Sequence, residues 1–205
     1  MGFRINTNVP SLAAQRSLEV NSSQREQSLS KLSLGTRINR SADDAAGLAI
    51  SEKLKATIRS TDQATRNAND GISMIQVAEG GLNEASNILI RMRELGMQSS
   101  SDTVGDSERK FTDLEYQNLK EEVERISQVT EFNGMKLLNG EAEKYDFQIG
   151  VNNDDFQDRI QYNASMSNST ASSLGIDSLE VASKEGAQAS LASVDNAIQN
   201  ISGQR

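Results

Sequence analysis

The sequence predicts a mainly α-helical protein: an elongated antiparallel helical bundle, or coiled-coil rod, with a small β-hairpin region. Apolar residues recur at alternating spacings of three and four over long stretches, which is the pattern of a helical seam. Proline occurs once in 205 residues, at Pro10, so no later helix has to be broken. Hydrophobic residues make up 36% and aromatic residues 4% of the chain, which favours narrow seams over one dense core.

The first helix is predicted over residues 11–34, and Gly35 is a plausible stop. Its middle is rich in Ser and Gln, so the helix is weak in isolation. We therefore expect it to need neighbours to become ordered. Its principal apolar side chains are Leu12, Leu18, Leu29 and Leu32.

A polar segment at 36–44 precedes the second helix. Ser41 is predicted to cap that helix, with Asp44 three positions on facing the amides of its first turn. Asp43 and Asp44 could instead suggest a metal site, but capping already accounts for both carboxylates. We expect the cap.

The second helix should run from about residue 43–45 to residue 99, along an imperfect coiled-coil seam. Gly71, Gly80 and Gly81 each cost roughly 1 kcal/mol relative to Ala, so packing must sustain the helix. The predicted seam consists of Leu54, Ile58, Thr61, Thr65, Ala68, Ile72, Ile75, Glu79, Leu82, Ala85, Leu89 and Met92.

A third helix is predicted over 107–130, with Ser107 as its cap. Two Asn-Gly pairs, at 133–134 and 139–140, then end the helical part. The predicted seam of this helix consists of Phe111, Leu114, Val123, Ile126 and Val129.

Alternation of apolar residues predicts a β-hairpin at about 140–163. Its acidic connection at 152–155 lacks the glycine and final Glu of an EF-hand loop, so a solvated turn is favoured over Ca²⁺. Residues 163–183 are small and polar and indicate a linker. A last helix is predicted from 184 to 205. The hairpin carries Phe147, Ile149, Val151, Ile160 and Tyr162, and the last helix Leu191, Val194, Ile198 and Ile201.

The composition argues against catalysis. His and Cys are absent, which removes imidazole acid–base chemistry, thiol nucleophiles and the usual zinc ligands. The sequence contains no glycine-rich phosphate loop or metal-ligand cluster, so we expect no enzyme, no cofactor and no metal. No window approaches the roughly 18 apolar residues of a membrane span, and the N-terminus has no apolar signal region.

Charge is uneven along the chain, whose net charge is −8. Residues 1–40 hold six basic against two acidic residues, and the remainder holds 15 basic against 27 acidic residues. A basic segment can indicate nucleic acid, but these charges are single and lack interleaved aromatic residues. We favour solvated helix faces and expect no nucleic-acid binding.

Several segments resemble those of bacterial flagellin in their amino-acid sequences and in their order along the chain. The segments are INTN (5–8), LSLGTRINRSADDAAGLAIS (32–51), RNANDGIS (66–73), AEGGLNE (78–84), RMRELGMQSS (91–100), EFNGMKLLNG (131–140), FQIG (147–150) and SVDNAIQNISGQR (193–205).

The resemblance implies a structural subunit of the flagellar filament for swimming motility. Such a chain is exported unfolded by the flagellar type III apparatus, without a cleaved signal peptide, and lies outside the cell. Its partners would be copies of itself, the export apparatus, and the cap and hook-junction proteins. The implied domains are an inner-tube helix (1–35), a spoke linker (36–44) and a rod-shaped core (45–205).

The resemblance also implies two sets of contact residues. Arg91, Leu95 and Glu115 align with positions that many flagellins present to the flagellin-sensing Toll-like receptor. The alternative for Arg91 and Glu115 is an ion pair between adjacent helices. Self-assembly contacts are expected at Leu12, Leu18, Leu29, Leu32, Arg37, Ile38, Asn39, Asp43 and Asp44.

The sequence departs from flagellin in two places. Flagellins usually insert variable outer domains between the hairpin and the last helix, but here only the linker at 163–183 lies there. We therefore expect a short flagellin that lacks the outer domains. Flagellins continue after the SGQR-like segment with a helix that the export chaperone binds, and by this resemblance we expect the chain that ends at Arg205 to lack that helix. We therefore expect either a chain that is cut short or a variant that cannot build a standard inner tube.

Two other classes of protein are open. A hook–filament junction protein would share the terminal helices, and a secreted coiled-coil binding module would share the seams. Filament formation, seen by electron microscopy, separates them.

Overall fold

The computed structural model describes residues 8–141 and 144–205. The first seven residues of the expected inner-tube helix, including most of the INTN motif, lie outside the described residues, as do residues 142–143 of the expected hairpin region. The chain divides into two compact units, residues 1–59 and residues 60–205. The described α-helices are α1 (Val9–Leu34), α2 (Ala45–Ser99), α3 (Asp106–Val129) and α4 (Lys184–Gln204), and residues Ala164–Ser167 form a short 3-10 helix.

Two antiparallel hairpins accompany these helices. Strands β1 (Glu131–Phe132) and β2 (Met135–Lys136) form the first, and β3 (Tyr145–Gln148) and β4 (Arg159–Tyr162) form the second. Long helices packed together with small two-stranded sheets confirm the predicted fold class. None of the described helices is long and apolar enough to cross a membrane.

In the first unit, α1 begins and ends close to its predicted bounds. Oδ1 of Asn8 accepts a hydrogen bond from the Ser11 amide at 3.3 Å, and Pro10 lies in the first turn, where its missing N–H costs nothing. Gly35 ends the helix with φ = +66°, the left-handed conformation that glycine tolerates best. The predicted stop is confirmed.

The predicted cap of α2 is wrong by three residues. Ser41 lies in a turn before the helix, and Asp44 is the residue that caps it, with Oδ1 accepting from the Gly47 amide at 2.8 Å. The Asp43 carboxylate accepts from the amides of Asn39 and Arg40 at 3.2 and 3.3 Å. This keeps the chain in a turn through Asp43, so the helix can begin only afterwards.

The second unit contains the hydrophobic core, in which α2, α3, α4 and both hairpins meet. The predicted α2 seam is correct from Leu82 onward. Earlier in the unit it is wrong: Ile72 and Ile75 are 53% and 42% exposed, and neighbouring positions are buried instead. The ring of Phe147 packs over Gly71, so the face of α2 that contains Gly71 is the one that is buried. The buried residues of α2 are Ala64, Gly71, Met74, Ala78, Leu82, Ala85, Leu89, Met92, Leu95, Gly96 and Ser99.

The predicted seam of α3 is mostly wrong. Phe111, Leu114 and Val129 are 73%, 62% and 55% exposed, and of the predicted set only Val123 is fully buried. The buried face of α3 is a different and more polar one, so the positions of the apolar residues did not predict it. Its buried residues are Arg109, Thr112, Tyr116, Val123 and Ser127.

Arg109 shows why a polar face can be buried. Its Nε and Nη2 donate to the carbonyl oxygens of Ser99 and Ser101 at 3.0 and 2.9 Å, and Nη1 pairs with Asp106 at 2.8 Å. The guanidinium thus satisfies carbonyls left open at the end of α2. The predicted Ser107 cap is wrong: Gly105 precedes α3, and no side chain caps it.

Helix α4 matches its prediction. It starts after Ser183, whose Oγ accepts from the Gly186 amide at 3.1 Å. Val194 and Ile201 are fully buried. Ion pairs Arg93–Asp195 and Lys184–Asp102 then fix its register against α2 and the turn after α2.

The hairpins combine a confirmed prediction with a missed one. Strands β3 and β4 pair Phe147 with Ile160 and Tyr145 with Tyr162, whose rings stack at 6.5 Å. The β1–β2 hairpin was not predicted, although Asn133-Gly134 makes its two-residue turn with φ values of +51° and +79°. Its strands are too short to show alternation.

The segment at 163–183 packs on the core, unlike a solvated linker. Ala171, Leu174, Ile176 and Val181 are buried. Polar groups of α3 hold its backbone: Asp113 accepts from the Val181 amide and Glu124 from the Ala171 amide, both at 2.8 Å. Its few apolar residues are too widely spaced for a periodic signal.

Gly80 and Gly81 allow a matched test of packing on α2. A Cβ at Gly81 would lie 2.7 Å from Thr130 Oγ1 and 2.8 Å from Leu138 Cδ1, whereas no described atom lies within 4 Å of one at Gly80. We expect Gly81→Ala to destabilise the protein by about 1–3 kcal/mol. Gly80→Ala should stabilise it by about 0.5–1 kcal/mol. Thermal unfolding followed by circular dichroism measures both; equal shifts would contradict the packing.

Candidate assembly and recognition surfaces

The first candidate surface is the whole length of α1. None of its 26 residues is buried. Leu12, Leu18, Leu29 and Leu32 are 57–79% exposed. The predicted self-assembly leucines therefore all present apolar surface outward, as do Val9, Val20 and Leu34.

The segment at 36–44 holds the remaining predicted assembly residues. Nζ of Lys31 on α1 lies 3.0 Å from Oδ1 of Asp43. This hydrogen bond to Lys31, followed by those from the Asn39 and Arg40 amides, lowers the pKa of Asp43. Asp44 is the cap of α2, so both carboxylates serve contacts within the chain.

The other three predicted assembly residues of this segment differ in their exposure and contacts: Arg37, Ile38 and Asn39. Ile38 is half-buried, and a Cβ added at Gly47 would lie 2.9 Å from its Cδ1, so the two residues pack closely. Asn39 Oδ1 accepts a hydrogen bond from the Thr36 hydroxyl. Arg37 is exposed. Of the three, Arg37 is the most accessible to another molecule.

A second candidate surface lies across α2 and α3. Nη2 of Arg91 lies 2.9 Å from Glu115 Oε1, and its Nη1 lies 2.9 Å from Glu94 Oε2. Hydrogen bonds to Glu94 and then Glu115 raise the pKa of Arg91. Arg91 and Glu115 thus form an ion pair between α2 and α3 of one chain, and about half of each side chain stays exposed.

Leu95, the third predicted receptor residue, has a different position. It is only 2% exposed and belongs to the core. Two exposed apolar side chains of α3 lie close to Glu115 along the helix: Phe111 is one helical turn before it on the same face, and Leu114 is the preceding residue. Sequence analysis assigned both to the seam, and their exposure is evident only from the structure.

Acidic side chains near these surfaces are paired with cations. The described residues contain no group of three or more acidic side chains placed to hold a metal ion. Acidic side chains at the helix contacts are instead paired with cations: the Lys184 hydrogen bond lowers the pKa of Asp102, and the Arg93 hydrogen bond lowers the pKa of Asp195. These carboxylates stabilise helix contacts.

Comparison with known proteins decides the family. Residues 5–143 match the family model of the bacterial flagellin N-terminal helical region. The chain belongs to the bacterial flagellin family. All the predicted assembly and receptor residues fall inside the matched range.

Similar flagellins come from several bacteria. The chain is 50% identical over 148 residues to a flagellin of Halalkalibacterium halodurans, covering 72% of this chain and 54% of that one. It is 47% identical over 153 residues to flagellin C of Vibrio anguillarum, covering 75% of this chain and 41% of that one. The chain thus spans about half the length of the curated relatives it matches.

A solved flagellin has a similar fold. The crystal structure of Bacillus cereus flagellin superposes with a TM-score of 0.59 at 29% identity, covering 68% of this chain and 78% of that one. The likeness therefore extends from sequence to the arrangement of the helices.

The ion pairs between helices predict a dependence of stability on pH. The folded pKa of Asp195 lies below its ordinary value of 3.8 because of Arg93. Its stabilisation is therefore present above about pH 4 and lost as pH falls through the folded pKa. We expect Asp195→Asn to lower the urea midpoint at pH 6 and to lower it less at pH 3, where the carboxylate is being protonated. Asp177→Asn, which removes one exposed negative charge, is the control; an equal deficit at both pH values would contradict the assignment.

Proposed function

We propose that this chain is a structural subunit that polymerises into the extracellular bacterial flagellar filament used for swimming. Family membership supports this, and flagellin is a structural protein without enzymatic activity. The single observation that carries the proposal is α1, a helix of 26 residues without one buried side chain. A helix that buries nothing gains no hydrophobic stabilisation within its own chain, so neighbouring copies would have to supply it.

The proposed roles of the segments follow the expected domains. Helix α1 forms the inner part of the filament, residues 36–44 connect it to the core, and residues 45–205 form the outer part. The packed segment at 163–183 stands where other flagellins carry outer domains, so the core itself forms the filament surface. Partners besides further copies are the export apparatus, the cap and the hook-junction proteins.

The assembly surface can be tested with leucine substitutions on α1. Leu18 and Leu29 are 69% and 58% exposed, so Leu18→Ser and Leu29→Ser cost little in the isolated chain. In the filament, each substitution removes roughly 1.5–3 kcal/mol of stabilisation from apolar burial, which is equivalent to at least a tenfold loss of subunit affinity. We expect chromosomal substitution to shorten or abolish filaments in electron micrographs and to reduce swimming.

Met166→Ser is the matched control, because Met166 is 70% exposed but lies outside α1. It should leave filament length unchanged. Full-length filaments from the Leu18→Ser, Leu29→Ser variant would reject α1 as an assembly surface. If the unsubstituted gene supports only a few subunits at the hook–filament boundary, the junction protein is the correct alternative; secretion without any polymer would favour a coiled-coil binding module.

A second proposal concerns recognition by the flagellin-sensing Toll-like receptor. The exposed Arg91–Glu115 pair supports it, together with the exposed Phe111 and Leu114 of α3, since arginine and aromatic residues are enriched at protein interfaces. In this proposal Leu95 supports the surface from the core. Arg91→Ala should reduce receptor signalling by isolated chains about tenfold, as a truncated arginine hot spot does.

Arg125→Ala is the control for the receptor assay, since it removes another exposed arginine that pairs with an acid, Glu122. Melting curves of both variants show whether the fold is intact. Unchanged signalling by a folded Arg91→Ala protein would reject the receptor contact and leave Arg91 and Glu115 as a structural ion pair.

A further inference from the structure

The two Asn-Gly pairs that follow α3, Asn133-Gly134 and Asn139-Gly140, have different surroundings in the second unit. Asparagine is among the thermolabile residues, since its side-chain amide can be lost by spontaneous deamidation. A following glycine favours this reaction, because glycine has no side chain to obstruct attack by its own nitrogen and its backbone turns freely. In a folded chain, the contacts around each pair then decide which of the two reacts.

Asn133-Gly134 forms the tip of the β1–β2 hairpin and is open to solvent. Both residues are exposed, with φ values of +51° and +79°. No described atom beyond the chain neighbours lies within 4 Å of a Cβ placed on Gly134. Neither the Asn133 side chain nor the Gly134 amide is hydrogen-bonded to another described residue. In the described part of the chain, therefore, no hydrogen bond holds the Asn133 side chain away from the Gly134 nitrogen.

Asn139-Gly140 is held by its neighbours. Asn139 Nδ2 donates to Glu141 Oε2 at 2.8 Å, and its Oδ1 accepts from the Glu141 amide at 3.1 Å. A Cβ placed on Gly140 would lie 2.6 Å from Cγ of Asn168, so the Asn168 side chain covers this glycine. Asn168 Oδ1 in turn accepts from the Thr170 amide at 3.1 Å, which fixes the cover. Rotation of the Asn139 side chain toward the Gly140 nitrogen would break both of its hydrogen bonds.

We infer that Asn133 deamidates spontaneously in the folded chain and that the fold protects Asn139. The Gly134 nitrogen attacks Cγ of Asn133, the Cγ–Nδ2 bond breaks, and ammonia leaves with the proton of the Gly134 amide. Water then opens the resulting succinimide ring at either of its carbonyl carbons, which gives aspartate or isoaspartate at position 133. Both products add a negative charge to the turn. The inference concerns the chemistry of the chain itself and does not depend on the proposed filament function.

The isoaspartate product also changes the backbone of the hairpin. It routes the main chain through the former side chain, which adds a further carbon atom to a turn whose length sets the strand register. That register pairs Phe132 with Met135. Strand β2 leads directly into Leu137 and Leu138, which are fully buried. Modification at an exposed tip therefore acts on a strand that enters the core.

The two pairs can be followed separately in one sample. Trypsin cleaves after Arg125, Lys136 and Lys144, so the pairs fall in peptides 126–136 and 137–144. The full chain is incubated in mildly alkaline buffer, both folded and in guanidinium chloride, and mass spectrometry gives the deamidated fraction of each peptide over time. In the folded chain, Asn133 should react about tenfold or more faster than Asn139, the effect of two intact hydrogen bonds. In guanidinium chloride, the two rates should become similar.

Substitution of Glu141 tests the protection directly. Glu141→Ala removes the acceptor of Asn139 Nδ2, and it should raise the folded rate at Asn139 about twofold to tenfold without altering Asn133. Glu141→Gln keeps an oxygen acceptor and is the matched control, in which Asn139 should stay protected. Equal rates at the two pairs in the folded chain would overturn the inference, as would an Asn133 that stays intact while the unfolded chain deamidates. Loss of filaments with unchanged deamidation would instead count against the filament proposal alone.

Discussion

The packing of the second unit depends on the close approach of the hairpins and of α4 to helix α2. Three buried or half-buried glycine positions on this helix receive side chains from different parts of the chain. Phe147 packs at Gly71, Thr130 and Leu138 at Gly81, and Ser190 and Leu191 at Gly96. Each site brings a hairpin or a helix nearer than a side chain would allow. The glycines weaken the helix locally, and the packing they permit more than offsets that cost.

Polar contacts then determine the register of the packed elements. Arg109 joins the end of α2 to the start of α3, and the Arg93–Asp195 pair aligns α4. Carboxylates of α3 hold the backbone of the segment at 163–183. Apolar burial drives the helices together without fixing their axial position, because it is non-directional. Hydrogen bonds and ion pairs supply the direction.

The first unit has a different balance. Its long helix α1 buries no residue, and its described contacts with the 36–44 segment are polar. Stability in one unit and exposed apolar surface in the other suit a subunit that folds one part by itself and orders the other with its neighbours.

The sequence by itself determined the helices, most of their ends and the second hairpin, because periodicity, the stop at Gly35 and alternating residues act locally. It also determined the family and the exposed leucines of α1, through segments such as SADDAAGLAIS. Only the tertiary structure decided which face of α3 and of the first part of α2 is buried. Arg109, Thr112 and Ser127 are buried because partners satisfy or cover them, while Phe111 and Leu114 face outward. Burial depends on what packs against a face, and that information lies in residues distant along the chain, such as Phe147 over Gly71.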